Sequence, residues 1–145
     1  MMKKRIFILI GACLLLLILF SMFVNPNHIK SSKVLSIKLE CVDACENTKN
    51  TPVPFTEKTF VNKDEIRTFV QAINQADKLN GELDYGVLFF MHLSFKDGHE
   101  KKYVLNVGNS EKKGTKGLLV DTVDSGQGYS IPEKWHEELR KLIYQ

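Results

Sequence analysis

The chain has 145 residues, 20 of them Lys or Arg and 17 of them Asp or Glu. Lys3, Lys4 and Arg5 account for the whole formal charge of +3, which leaves 17 basic against 17 acidic residues from position 25 onward. That length allows one compact domain behind an apolar N-terminal segment, and the charge balance excludes the basic field of a nucleic-acid-binding protein.

Ile6 to Val24 is a run of 19 residues without a charge, preceded by Met-Met-Lys-Lys-Arg. At about 1.5 Å per residue it spans nearly the ~30 Å hydrocarbon core of a bilayer. The basic cluster holds the N-terminus in the cytoplasm, so the expectation is a single-pass signal anchor over 1–24 with the remainder extracytoplasmic. Leu9-Ile10-Gly11-Ala12-Cys13 also fits a lipoprotein cleavage motif, which would make Cys13 the lipidated first residue of the mature chain. Only seven apolar residues precede Cys13, and a cut there would leave Leu14 to Phe20 where a polar tether belongs. The length argument therefore favours the uncut anchor, and lipidation at Cys13 is the minority reading.

Residues 25–33, polar with Pro26 and exposed His28, read as a linker, and residues 34–145 as the extracytoplasmic domain. "VLSIKLECV" alternates, with Leu35, Ile37, Leu39 and Cys41 on one face, as in a half-buried strand. Residues 43–56 form a loop broken by Pro52 and Pro54, and a short strand over 58–61 follows. Asn62 and Glu65 make a capping box for a helix over 63–79, with Ile66, Phe69, Val70, Ile73 and Ala76 on its apolar face. Asn80-Gly81 supplies its expected stop.

"GVLFFMHLSFKDGHEKKYVLNVG" reads as a hairpin. A three-residue connection, Lys96-Asp97-Gly98, pairs Met91 with Tyr103 and gathers Val87, Phe89, Met91, Leu93, Tyr103, Leu105 and Val107 on one face. Residues 108–117 are a polar loop, and short strands over 118–121 and 128–130 follow. Ser130 and Glu133 suggest a second capping box, opening a helix with Trp135, Leu139, Leu142 and Ile143 as its stripe. The expected fold is α+β: a mostly antiparallel sheet in the order strand, helix, hairpin, strands, helix, with two helices packed on one face, preceded by one transmembrane helix.

The stretch "FVNKDEIRTFVQAINQADKLNG", the Lys-Asp-Gly turn, "YVLNVG" and "GQGYSIP" before a Leu-rich terminal helix together resemble the YhfM-like domains of small lipoproteins and membrane-anchored proteins in Bacillus relatives. The resemblance covers roughly residues 55–145 and implies an extracytoplasmic domain without assigned catalytic residues.

Cys41 and Cys45, in "CVDAC", are the most suggestive chemistry. Outside the cell such a pair forms a local disulfide. Free thiols are a second reading, and a redox or soft-metal role is the sharper alternative, but the pair sits at a strand exit rather than a helix start, no second cysteine pair completes a zinc set, and His28, His92, His99 and His136, which could contribute, are all distant in sequence. His92 and His99 with Asp97 and Glu100 flank the hairpin tip, Asp121 and Asp124 fit turn chemistry, and Lys112, Lys113 and Lys116 fit a solvated loop, the alternative of a phosphate site lacking a strand-to-helix glycine signature. Leu88, Phe90 and Val104 gather on the hairpin face assigned to solvent: either another element covers them or they form a patch for a partner. No catalytic constellation, metal site or cofactor motif emerges. The leading expectation is a non-enzymatic binding module tethered at the membrane of the cell envelope, with a protein or envelope component as partner. The alternative is a thiol-dependent metal or redox protein centred on Cys41 and Cys45. A hydrolase assembled only in three dimensions would show itself as a pocket with clustered, perturbed ionisable groups.

Overall fold

The computed structural model describes residues 28–42 and 55–145. The expected transmembrane helix over 1–24, with Cys13, lies outside them, and among the described residues no helix is long and apolar enough to cross a membrane. A single 3-10 turn, Ser31–Lys33, leads into β1 (Val34–Cys41), followed by β2 (Glu57–Phe60), α1 (Lys63–Asn74), β3 (Asp77–Lys78), β4 (Phe89–Phe95), β5 (Glu100–Asn106), β6 (Gly117–Asp121), β7 (Gly128–Ile131) and α2 (Glu133–Tyr144). The seven described strands form one sheet in the order β2-β1-β4-β5-β6-β7-β3, and every neighbouring pair is antiparallel. The α+β architecture expected from the pattern is therefore present.

The alternation in β1 places Ile37 and Leu39 in the core, but the register breaks between Val34 and Ser36. That irregularity turns Val34 inward and leaves Leu35 57% exposed, so Leu35 does not share the face of Ile37 as its spacing suggested. The hairpin adopts the three-residue connection. Met91 pairs with Tyr103, the Phe95 N–H donates to the His99 carbonyl, and Gly98 takes a positive φ of 89°. Its buried face carries Phe89, Met91, Leu93, Tyr103 and Leu105, continuous with Leu119 and Ile131.

Both helices cover this face. Ile66, Phe69, Val70 and Ala72 of α1 and Leu139 and Ile143 of α2 join the strand residues in one cluster. Fully burying one such side chain contributes about 1.5–3 kcal/mol, which is why the two apolar stripes fix where the helices lie. Asn62 caps α1 by accepting from the Asp64 N–H at 2.8 Å. The helix ends at Asn74 rather than near 79, because Asp77 and Lys78 leave it to pair with Ser130 and Tyr129 at the sheet edge. Gly81 still has a positive φ of 99°, but in the loop beyond β3. The second capping box does not form. Ser130 is committed to β7, Pro132 is the N-cap of α2, and its carbonyl accepts from the Trp135 and His136 N–H groups.

The opposite face has a smaller core of its own. Phe90, Val104, Val120 and Gly128 stand in one cross-strand row. Segment 79–88 crosses it: the Leu79 N–H donates to the Gly128 carbonyl, and Leu83 packs against Gly128. The Asn106 side chain holds the segment by donating to the Gly86 carbonyl and accepting from the Leu88 N–H at 2.8 Å. Val104 and Val120 in the same row are buried.

Candidate functional site

Helix α2 presents two stripes. Leu139 and Ile143 face the core, while His136, Arg140 and Tyr144, spaced by four, run alongside against the chain leaving β5. The Tyr144 hydroxyl donates to the Val107 carbonyl at 2.9 Å, His136 bonds the Gly108 backbone, and Arg140 Nη1 donates to Asn109 Oδ1 at 3.3 Å. Three successive residues of the β5 exit are thus gripped by one face of the helix.

Beyond Asn109 the loop folds back over α2. The Lys112 carbonyl accepts from the N–H and the hydroxyl of Thr115, and Gly114 takes a positive φ of 84° at the third position of this turn. The Gly114 N–H donates to Glu133 Oε1 at 2.7 Å, and Glu111 reaches Arg140 Nη1 at 3.1 Å. Loop and helix enclose a cleft of about 580 Å³ lined by Glu111, Lys112, Lys113, His136, Glu137 and Arg140, among others.

His136 is 2% and Arg140 7% exposed. His136 Nε2 and Arg140 Nε are both sealed from solvent without a hydrogen-bond partner, among the described residues. Such groups are costly, by about 1–3 kcal/mol each, and mark places where a partner belongs. Burial first, and the Arg140 cation second, push the His136 imidazole below its usual 6.5, against the opposing pull of the Gly108 hydrogen bond and Glu137. The ring is therefore neutral at neutral pH, an uncharged acceptor beside a fixed cation.

Of the residues singled out by sequence, Lys112 and Lys113 line the cleft and the others are dispersed. Cys41 is disulfide-bonded, and both other cysteines, Cys13 and Cys45, lie outside the described residues. His92 Nε2 sits 3.0 Å from Glu40 on β1, whose carboxyl is held below its usual range by Lys38 and then by His92. His99 stacks on Phe95 and pairs with Asp97, while Glu100 accepts from Ser94, so the hairpin histidines do not share a site. Asp121 Oδ1 accepts from the Val123 N–H, and the Asp124 carbonyl from the Gln127 N–H, both turn contacts. Of the patch residues, Val104 is buried, Phe90 is half-buried with Lys102 Nζ 3.8 Å from its ring centre, and Leu88 is half-buried against the core. Among the described residues no group of three or more His, Cys, Asp or Glu is placed to hold a metal ion.

The sequence offers His136 only as a distant metal ligand and gives Arg140 no role, because an apolar stripe one residue away satisfies the helix by itself. The signal was the 136/140/144 spacing beside Leu139 and Ile143, which puts two ionisable groups on the rim of a buried face. No curated protein and no solved structure matches the chain. The model of one family, described as YhfM protein, matches residues 44–145. Covering well over half of the sequence, that match establishes that the chain belongs to the YhfM protein family.

Proposed function

We propose that this protein is a non-enzymatic binding module, tethered by residues 1–24 to the cell membrane with residues 34–145 extracytoplasmic, and that the cleft between α2 and loop 108–116 holds its ligand. One observation carries the reading: a cleft of about 580 Å³ lies against a buried Arg140 and a buried neutral His136, each with an unpartnered nitrogen. A cavity with a few convergent polar groups is the ordinary form of a binding site.

Clustered, perturbed ionisable groups also suit a hydrolase, but the hydroxyls nearby are occupied otherwise. Ser110 Oγ lies 3.5 Å from Thr115 Oγ1 and accepts from the Lys112 N–H, and Thr115 donates to the Lys112 carbonyl. Neither bonds His136, so among the described residues of the cleft no hydroxyl stands against that base. The disulfide at Cys41 supports an oxidising, extracytoplasmic setting and a structural bridge to Cys45. A thiol-dependent redox or metal role at Cys41 and Cys45 is the second reading. A thiol count on the native protein separates the two, since reactive paired thiols or bound metal would favour the second.

The test uses the full chain in native membranes. Protease added from outside is expected to degrade residues 34–145 of the intact cell's protein, and a photo-crosslinker at Lys112 is expected to capture an envelope component. Saturable turnover of an envelope substrate by the purified chain would overturn the reading, as would full protection from the protease.

A further inference from the structure

Arg140 is a permanent cation held almost wholly out of water, and a charge so placed requires an anion in contact. Among the described residues Glu111 supplies that anion at 3.1 Å, from a loop position where its side chain is 78% exposed. A solvated loop carboxylate is a weak and exchangeable partner. The other carboxylates of the cleft are engaged elsewhere: Glu133 accepts from the Gly114 N–H, and Glu137 pairs with Lys141 at 3.3 Å. Lys112 and Lys113 line the same cleft and, among the described residues, have no ion-pair partner. The cleft thus holds three cations, one loosely held internal carboxylate, and an unsatisfied acceptor at His136 Nε2.

We propose that Glu111 occupies the place of a ligand oxyanion: a carboxylate or phosphate group displaces it from Arg140, with Lys112 and Lys113 adding positive charge. The planar guanidinium suits both kinds of oxyanion, because its parallel N–H groups meet two oxygens at once. When Glu111 leaves, loop 110–113 is released from α2 while the Gly114–Glu133 bond keeps the loop's far end in place. A hydroxyl or water beside the bound oxyanion then donates to His136 Nε2 and completes the site. The inference rests on the binding-module reading and names the chemistry of that same cleft.

The full chain, in nanodiscs of neutral phosphatidylcholine, is titrated separately with acetate and with inorganic phosphate while the Arg140 Nε–H resonance is followed by NMR. A saturable shift with one probe or with both is expected, and the probe that works identifies the oxyanion class. Glu111→Gln, which removes the internal competitor, is expected to tighten binding about threefold, and Arg140→Lys, checked for an unchanged thermal midpoint and followed through the His136 ring resonances, to weaken it through loss of the two-point fork. The exposed pair Lys112→Ala and Lys113→Ala provides a variant without folding risk and is expected to weaken binding several-fold. No shift with either probe, in the native chain and in Glu111→Gln alike, overturns the proposal. If the Lys112 crosslinker still captures an envelope component in that case, the oxyanion assignment falls and the binding-module reading stands.

Discussion

The side chain of Asn74, the last residue of α1, closes both backbone groups of Ile29: Oδ1 accepts from the Ile29 N–H at 2.9 Å, and Nδ2 donates to the Ile29 carbonyl at 2.8 Å. Ile29 is buried, so this clasp ties one residue of the 25–33 stretch to the packed domain.

Replacing Asn74 by Ala leaves both Ile29 groups to water or unpaired. A loss of about 1–3 kcal/mol is expected in urea unfolding, with the Ile29 amide losing its protection from hydrogen exchange before the sheet does. Unchanged Ile29 protection would remove the clasp from the account of stability.

Gly128 sits where a Cβ would lie 2.5 Å from Leu83 Cδ1 and 3.3 Å from Leu118 Cδ1. The atoms in the way are the far end of the half-buried Leu83 side chain, so Gly128→Ala is expected to cost about 0.5–1.5 kcal/mol by pushing that side chain from its rotamer. In a Leu83→Ala background the added cost shrinks, because the obstructing atoms are gone, and a double-mutant cycle reads that coupling.

His136 makes stability depend on pH in a defined direction. Its folded pKa lies below 6.5, so the unfolded chain takes up the proton first as pH falls. Stability is unaffected above that value and declines as pH drops from 6.5 toward the folded pKa. Urea titrations between about pH 5 and 7 are expected to show this slope in the native chain and to lose it in His136→Gln, whatever the absolute stability of the variant. Arg140, which opposes protonation, makes the slope steeper than burial alone.

Tyr103 sets the alkaline limit. Burial, then the charges of Asp121 and Tyr129, push its phenol from 10.0 up to about 12. The folded state therefore keeps a proton that the unfolded state releases, and the stability this gives is lost as pH rises from 10 through about 12. Tyr103→Phe is expected to flatten that decline relative to the native chain, and ultraviolet titration should show Tyr103 ionising late along with Tyr144, whose phenol burial also raises.

Much of the fold was legible residue by residue. The hairpin register followed from segregation of its two faces, since a one-residue slip would have put Met91 and Tyr103 in water. The start of α1 followed from Asn62, and the sheet's antiparallel class from the short turns. Local pattern failed where a neighbour competed for the same backbone. Asp77 and Lys78 carry on a helical sequence but are drawn to the open edge of β7, and Ser130 is spent in that strand before it can cap α2. Leu35 lost its face to a bulge that no periodicity announces.

The candidate cleft was not legible in the same way. By itself the sequence determined the apolar stripes, the turns and the balanced charge, because each depends on residues within one turn or one strand of each other. Only the tertiary structure decided that His136 and Arg140 are buried beneath loop 108–116, that Glu111 is the carboxylate on Arg140, and that Leu83 packs against Gly128. Burial and pairing depend on what lies opposite a residue, and between Glu111 and Arg140 that partner is set by the path of the loop over the helix.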